Sequence, residues 1–167
     1  MIPSNDIGAL QRALQYDFSD SGRLDLALSH RSVGTANYER LEFLGDALLG
    51  FLVGESLFQS FPEASEGQLT RLRASLVKGE TLAIIARELD IGSYLRLGPG
   101  ERKSGGHRRD SILADVFEAI VCAVYQDGGM GPVRELIQRV YAPRIERLDL
   151  SLLQKDPKTR LQELMQA

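Results

Sequence analysis

Three acidic side chains follow one another at helical spacing in the apolar segment ERLEFLGDALLG, residues 39–50. Glu39, Glu42 and Asp46 are three and four residues apart, so on an α-helix they share an arc of roughly 60°. The apolar residues expected to point the other way are Leu41, Leu44, Leu48 and Phe51. Because like charges on one strip of a largely buried helix repel each other, the pattern indicates a compensating cation or partner group.

A second acidic pair, Asp115 and Glu118, stands at positions i and i+3 in the strongly apolar segment SILADVFEAI. Most acidic pairs on helices face solvent, but here the neighbouring residues are apolar on almost every side. If the two helices face each other, four acids meet and their pKa values rise, which favours a bound divalent cation. A site made only of oxygen ligands suits Mg²⁺ or Mn²⁺ rather than zinc.

The two histidines do not fit other metal or hydrolase sites. Di-iron helical bundles need Glu-x-x-His pairs, whereas His30 is followed by Arg31 and His107 lies in a glycine-rich segment. A hydrolase that uses a His-Asp dyad is excluded on the same ground. We therefore expect both histidines to be surface or loop residues with local hydrogen bonds.

The elements that must hold the acids are predicted to be helices. Apolar residues recur at helical spacing along most of the chain and alternation at period two is almost absent, so the predicted fold class is all-α. A long helix is predicted from residue 38 to about 60, ended by Pro62, and the S-x-x-Q pattern at Ser65 predicts a capping box. Residues 93–110 form the longest irregular stretch, and Pro143 is expected to kink or divide the last helix.

The composition fits one globular domain, with 167 residues of which 43% are hydrophobic and 26% charged. The net charge of −3 argues mildly against a nucleic-acid partner, although acids concentrated in a metal site could mask a basic surface elsewhere. No apolar run is long enough to cross a bilayer, and the N-terminus lacks the apolar core of a signal peptide. The single cysteine, Cys122, excludes an internal disulfide. We therefore expect a cytoplasmic protein.

Three ordered blocks of the sequence resemble the ribonuclease III family of double-stranded-RNA endoribonucleases. The blocks are HRS…NYERLEFLGDALLG, EGQLTRLRASLV and GERKSGGHRRDSILADVFEAIVCAVYQDGG, and together they span about residues 5–148. The resemblance implies an all-α fold, the helical bundle of the ribonuclease III endonuclease domain, over residues 1–150. It further implies a linker at residues 151–157 and the truncated start of a double-stranded-RNA-binding domain at residues 158–167.

The resemblance also implies roles for individual acids. The residues that match the family's Mg²⁺ ligands are Glu42, Asp46, Asp115 and Glu118. Glu39 and Glu66 match two further acids of the site, so the expected catalytic residues are Asp46, Glu118, Glu39 and Glu66. In two-metal catalysis, ions about 4 Å apart stabilise the attacking and leaving oxygens of the phosphodiester. Mn²⁺ would be able to substitute for Mg²⁺.

The activity implied is hydrolysis of double-stranded RNA to 5′-phosphate and 3′-hydroxyl ends with short 3′ overhangs, in rRNA and mRNA processing. The resemblance also implies a homodimer with no membrane partner and no small-molecule cofactor, in which Phe43 inserts into a hollow of the other chain. Gly50 and Gly54 lie near the acidic strip and are expected to let another helix come close.

Two further features leave the function of individual residues open. The basic residues before the second acidic helix are Arg102, Lys103, Arg108 and Arg109. They are expected either to contact RNA phosphates or to form a solvated mobile loop. Cys122 stands where the family usually has glycine or another very small residue, and we expect it to be a buried structural thiol.

Two other classes of function remain open from the sequence. A catalytically weak module of the same fold would bind double-stranded RNA without cutting it, although all six matching acids are present. A structural helical protein would carry the acids as surface charge only. A magnesium-dependent cleavage assay on long double-stranded RNA separates the three classes.

Overall fold

The computed structural model describes residues 6–148, and α-helices account for most of them. In chain order the helices are α1 Ile7–Leu14, α2 Ser21–Ala27, α3 Glu39–Ser60, α4 Glu66–Val77, α5 Gly79–Glu88, α6 Pro99–Lys103, α7 Asp110–Gly128 and α8 Met130–Ile145. Two short 3₁₀ helices, Ile91–Tyr94 and Gly106–Arg108, lie on either side of α6. Strand-like pairing within residues 6–148 is limited to one isolated bridge between Ser29 and Arg96. The predicted all-α class is confirmed.

The predicted linker and the predicted start of a second domain, residues 151–167, lie outside the described residues. Within the part of the chain that is described, no helix has both the length and the apolar character needed to span a bilayer.

Helix α7 lies at the centre of the fold because its sequence is apolar on nearly every side. Eleven of its residues are buried, including Val116, Phe117 and Ile120 at 0% exposure. Helices α3, α5, α2 and α8 all pack against it. Each large apolar side chain buried in this way contributes about 1.5–3 kcal/mol of hydrophobic stabilisation. Asp115 and Glu118 are therefore carried on a helix that is firmly packed on nearly every side.

Helix α3 begins and ends at defined residues. Asn37 Oδ1 accepts a hydrogen bond from the Glu39 backbone N–H at 3.0 Å, which satisfies one free donor at the start of the helix. The helix ends at Ser60, just before Pro62, as the sequence predicted. The capping box at the start of α4 is also confirmed, because the side chains of Ser65 and Gln68 each accept from the other's backbone N–H.

Asp127, near the end of α7, fastens the connection between α1 and α2. Its carboxylate accepts hydrogen bonds from the Tyr16 hydroxyl at 2.7 Å and from the backbone N–H groups of Ser19 and Asp20 at 2.8 and 3.0 Å. The Asp127 side chain is only 2% exposed. A nearly buried carboxylate is stable there because several donors satisfy it at once.

Two expectations about the elements are wrong, and a third is wrong in part. Leu44 and Phe51 do not turn inward but are 36% and 55% exposed, because the buried side of α3 is centred near Gly45 and Leu49 rather than on the side opposite the acids. Residues 93–110 are not irregular throughout, since α6 and a 3₁₀ turn form within them. Pro143 was expected to kink or divide the last helix, and it does not divide α8, because it stands in the last turn and the helix continues past it to Ile145.

Candidate metal centre

Helices α3 and α7 pack side by side and bring carboxylates from both onto one cleft. Glu42 of α3 and Asp115 and Glu118 of α7 each offer an oxygen within 4.8 Å of the other two, and all three residues are half-buried. The sequence raised this facing of the two helices as a condition for a metal site, and the resemblance implied it. Their separation along the chain means that the cluster exists only in the folded protein.

The close approach of the two helices depends on Gly45. A Cβ atom placed on Gly45 would lie 1.9 Å from the backbone carbonyl oxygen of Glu118, which is far inside van der Waals contact. Glycine inside a helix costs about 1 kcal/mol relative to alanine, so its presence between Glu42 and Asp46 has a packing reason. The backbone contact at Gly45 sets how near the acids of α3 come to Glu118.

Sequence reasoning had singled out two other glycines for close helix approach. A Cβ on Gly50 would meet no heavy atom within 4 Å, and one on Gly54 would meet the Arg73 side chain at 3.6 Å. Neither position therefore brings α3 close to another helix of the described chain. Gly45 is the glycine flanked directly by the acidic strip, but the backbone oxygen that it approaches cannot be identified from the sequence.

The three other predicted acids lie outside the group of three. Asp46 is exposed, yet its negative charge is the largest electrostatic contribution to the raised pKa of Glu118 after burial. Glu39 is exposed and lies 3.6 Å from the guanidinium of Arg31. Glu66 stands in the first turn of α4, where its carboxylate accepts a hydrogen bond from the Thr70 hydroxyl at 2.8 Å. Asp46 thus borders the cluster, whereas the described contacts of Glu66 are made within its own helix.

The pKa values of the clustered acids show that the cleft disfavours their charged forms. Burial, followed by the charges of Asp46, Asp115 and Glu42, raises the pKa of Glu118 to about 8. Burial, and then the charge of Asp115, raises the pKa of Glu42. Burial also raises the pKa of Asp115, against the opposing effect of a hydrogen bond from Tyr38. A divalent cation would relieve this repulsion, and the all-oxygen donor set fits Mg²⁺ or Mn²⁺.

Two aromatic rings lie behind the cluster, and sequence reasoning missed both. The Tyr38 hydroxyl is 3.4 Å from Asp115 Oδ2, and the ring of His30 packs edge-on against Tyr38 with 5.7 Å between ring centroids. Of the two positions expected for His30, surface or loop, it has the second: it is a loop residue, 7% exposed, with a local hydrogen bond to Ser32 as expected. The sequence feature that could have indicated a role for Tyr38 is its position directly before the acidic helix.

The basic residues predicted to contact RNA differ in their surroundings. Arg102 and Lys103 are exposed in the last turn of α6, and Arg108 is exposed in the following 3₁₀ turn. Arg109 forms an ion pair with Glu101 at 2.9 Å. The segment therefore contains helical turns and an internal ion pair, and all four predicted cations are exposed, with Arg109 paired to a carboxylate.

An apolar stripe runs along the solvent side of α3. Phe43 is 81% exposed, Phe51 55% and Phe58 71%. An open hollow beside Phe43 is lined by residues that include Leu26, Thr35 and Leu44. Exposed aromatic side chains in a row are unusual on a monomeric surface and are typical of a protein interface.

Cys122 lies on the buried side of α7, one helical turn after Glu118. It is 0% exposed and is not in a disulfide, and burial raises the pKa of its thiol. A thiol that is buried and protonated is neither a good nucleophile nor a ligand for Mg²⁺. Its surroundings agree with the structural role expected from the sequence.

Comparisons with known proteins identify this arrangement. The nuclease domain of ribonuclease III from Campylobacter jejuni has the same fold, with a TM-score of 0.82 and 38% identity over 87% of this chain and 99% of that chain. A second structure of that domain, described for structural flexibility in a region involved in dimer formation, has a TM-score of 0.80 and 39% identity over 83% of this chain and 97% of that one. The fold with its acidic cleft is thus that of a nuclease domain.

The sequence comparisons define the family. A family model described as Ribonuclease-III-like matches residues 20–145. Ribonuclease 3 of Pseudomonas paraeruginosa is 56% identical over 164 residues, which cover 98% of this chain and 72% of that protein. This chain belongs to the ribonuclease III family.

Proposed function

We propose that this protein is a Mg²⁺-dependent endonuclease that hydrolyses double-stranded RNA. The observation that carries the proposal is the convergence of Glu42, Asp115 and Glu118, whose ligand atoms lie within 4.8 Å of one another. Such a group of half-buried carboxylates is unfavourable by itself, because the charge of Asp115 raises the pKa of Glu42, and the charges of both raise the pKa of Glu118. Family membership and the nuclease-domain fold agree with a catalytic use for the group.

The proposed role of each acid follows from its position. Glu42, Asp115 and Glu118 would hold Mg²⁺, or Mn²⁺ in its place, and Asp46 would ligate from the exposed rim of the cleft. When bound, the cation lowers the pKa of water and stabilises negative charge on a phosphodiester. Glu39, on the exposed first turn of α3, would act through water. We keep Glu66 as an expected further acid of the site, to be tested by substitution.

The proposed assembly is a homodimer formed through the apolar stripe of α3. The Phe43 side chain of one copy, which is 81% exposed, would enter the hollow of the second copy that is lined by Leu26, Thr35 and Leu44. Dimer formation is a property described for the similar Campylobacter jejuni domain. Two symmetry-related sites would cut both strands and leave 5′-phosphate and 3′-hydroxyl ends with short 3′ overhangs.

The proposed substrate is recognised by shape rather than by sequence. A-form RNA presents a wide, shallow minor groove and two phosphate backbones, which proteins read largely without base contacts. The exposed Arg102, Lys103 and Arg108 would contact phosphates, with a smaller part for Arg109, which is paired to Glu101. The cellular role we propose is rRNA and mRNA processing in the cytoplasm.

Cleavage of labelled RNA tests the proposal. A long double-stranded RNA, the same RNA as a single strand, and a double-stranded DNA of the same sequence are each incubated with the protein in Mg²⁺ or in EDTA. We expect cutting of the double-stranded RNA alone and only with Mg²⁺. Retained binding without any cutting would instead indicate the catalytically weak RNA-binding module, and neither binding nor cutting would indicate a structural protein.

A further inference from the structure

Tyr38 occupies a defined place behind the acidic cluster. It directly precedes α3 and is only 3% exposed. Its hydroxyl lies 3.4 Å from Oδ2 of Asp115, within hydrogen-bonding distance. Because the hydroxyl is buried, it needs a hydrogen-bond partner, and the carboxylate of Asp115 supplies one.

The backbone of Tyr38 is fixed on both sides. Its N–H donates to the Ser29 carbonyl at 2.9 Å, and its carbonyl accepts from the N–H groups of Leu41 and Glu42 at 2.8 and 2.9 Å. These bonds tie the residue to the preceding loop and to the first turn of α3. The Tyr38 side chain therefore enters the cleft from a rigid base that also carries Glu42.

The ring of Tyr38 is held by His30. The two rings pack edge to face with 5.7 Å between centroids. His30 is itself fixed, because its Nδ1 lies 2.8 Å from the Ser32 hydroxyl, which in turn accepts a hydrogen bond from the Gly98 N–H at 2.8 Å. The HRS segment of the sequence thus supports the ring that contacts Asp115.

We propose that Tyr38 is a positioning residue for the metal site, whose hydroxyl donates to Asp115 and holds its carboxylate in one orientation. A tyrosine hydroxyl carries its proton at neutral pH, and a carboxylate can only accept, so the hydrogen bond runs from Tyr38 to Asp115. A carboxylate that is already oriented loses less conformational freedom when it binds a cation. The proposal rests on the proposed metal-binding function of Asp115.

Substitution of Tyr38 by phenylalanine tests the proposal, with Tyr16→Phe as the matched control. Tyr16 donates to Asp127 at 2.7 Å, so the control removes the same kind of bond at the other end of α7, away from the cluster. Mn²⁺ binding is measured by electron paramagnetic resonance without RNA at pH 7. We expect Tyr38→Phe to weaken Mn²⁺ affinity by about 10-fold, as is typical for loss of a hydrogen bond to a ligating group. Tyr16→Phe should leave the affinity unchanged even if it lowers the melting temperature.

Cleavage adds a second measurement. For Tyr38→Phe we expect the Mg²⁺ concentration for half-maximal cleavage to rise by about the same factor, with nearly normal turnover at saturating Mg²⁺. Circular dichroism checks folding, and if Tyr38→Phe is partly unfolded all three proteins are compared in trimethylamine N-oxide, which favours the folded state. Equal Mn²⁺ affinity of wild type and Tyr38→Phe would overturn the positioning role. Absence of Mn²⁺ binding by the wild type would instead overturn the proposed metal site itself.

Discussion

Replacing Glu118 by glutamine should make the protein more stable when no divalent cation is present. The change keeps the size of the side chain and removes a charge that the cleft disfavours. Burial and the charges of Asp46, Asp115 and Glu42 raise the pKa of Glu118 from 4.5 to about 8. A carboxyl group whose pKa is higher in the folded than in the unfolded state contributes its full stability only below the unfolded pKa. That contribution is lost as the pH rises through the folded pKa.

The size of the effect follows from the pKa difference. One pKa unit corresponds to about 1.4 kcal/mol, so between pH 4.5 and pH 7 the charge on Glu118 would cost up to about 3 kcal/mol. Because Glu118 is only half-buried and the cleft admits water, which screens the charge, we expect about half of that cost. Glu118→Gln should therefore be about 1.5 kcal/mol more stable than the wild type at pH 7 in EDTA, and less than about 0.5 kcal/mol more stable at pH 5.

Mg²⁺ should reverse this order. A cation that binds only the folded state at about 100 times its dissociation constant adds about 2.7 kcal/mol of stability. The wild type should gain this stabilisation, whereas the glutamine variant lacks one carboxylate and should gain much less. The variant should also cleave double-stranded RNA far more slowly, although it is the more stable protein without metal.

Urea unfolding followed by circular dichroism measures these differences at one protein concentration, in EDTA and in Mg²⁺, at pH 5 and pH 7. The control is Glu63→Gln, an exposed glutamate in the loop before α4, which should match the wild type under all four conditions. If Glu118→Gln is no more stable than the wild type at pH 7 in EDTA, the cleft does not strain its acids. If Mg²⁺ stabilises both proteins equally, Glu118 does not bind the cation.

Three further outcomes are expected. Gly45→Ala should lose at least about 2 kcal/mol of stability together with Mg²⁺ binding, since its Cβ would lie 1.9 Å from a backbone oxygen. The control Gly50→Ala should be neutral or slightly stabilising. Equal urea midpoints for the two variants would show that the helices can separate freely. Phe43→Glu should sediment as a monomer and lose activity. The control Val33→Glu, at another exposed apolar position, should stay dimeric. A Phe43→Glu variant that remains a dimer would place the interface elsewhere. With Ca²⁺ in place of Mg²⁺, binding of double-stranded RNA should be weak, because the net charge is −3. It should still fall about 10-fold or more between 50 and 200 mM salt, because the exposed Arg102, Lys103 and Arg108 would release counterions from the phosphates; tight binding at both salt concentrations would contradict this reasoning.

The sequence was sufficient to predict the fold class and to place each acidic strip on its own helix, because helical periodicity is a local property. The meeting of the two strips was implied by the resemblance. Glu42, Asp115 and Glu118 could be chosen because acids surrounded by apolar residues are rare unless they are paired or bind a cation. The same periodicity led to a wrong prediction for Leu44 and Phe51, since it cannot distinguish apolar residues of the core from apolar residues of an exposed interface. On a single sequence both look like an apolar stripe.

What the sequence could not show depends on distances between segments far apart in the chain. The sequence left open whether His30 lies on the surface or in a loop, and it did not show that this loop residue is buried against Tyr38. Gly45 was passed over because its neighbour in space, the carbonyl of Glu118, is a backbone atom that any sequence provides. Glu66 was placed with the site acids by resemblance, and in the described chain its carboxylate accepts from Thr70 of the same helix.

The backbone contact between Gly45 and Glu118 also sets when the domain can begin to work. The ribosome completes α3 before it starts α7, and at about 5–20 residues per second the 73 residues between positions 45 and 118 take about 4–15 s to synthesise. During that interval the acids of α3 are a single solvated strip and no cleft exists. A nuclease that acts on double-stranded RNA would thus emerge inactive beside the folded RNA of the ribosome that makes it. The cleft would assemble only after α7 has emerged and docked against α3.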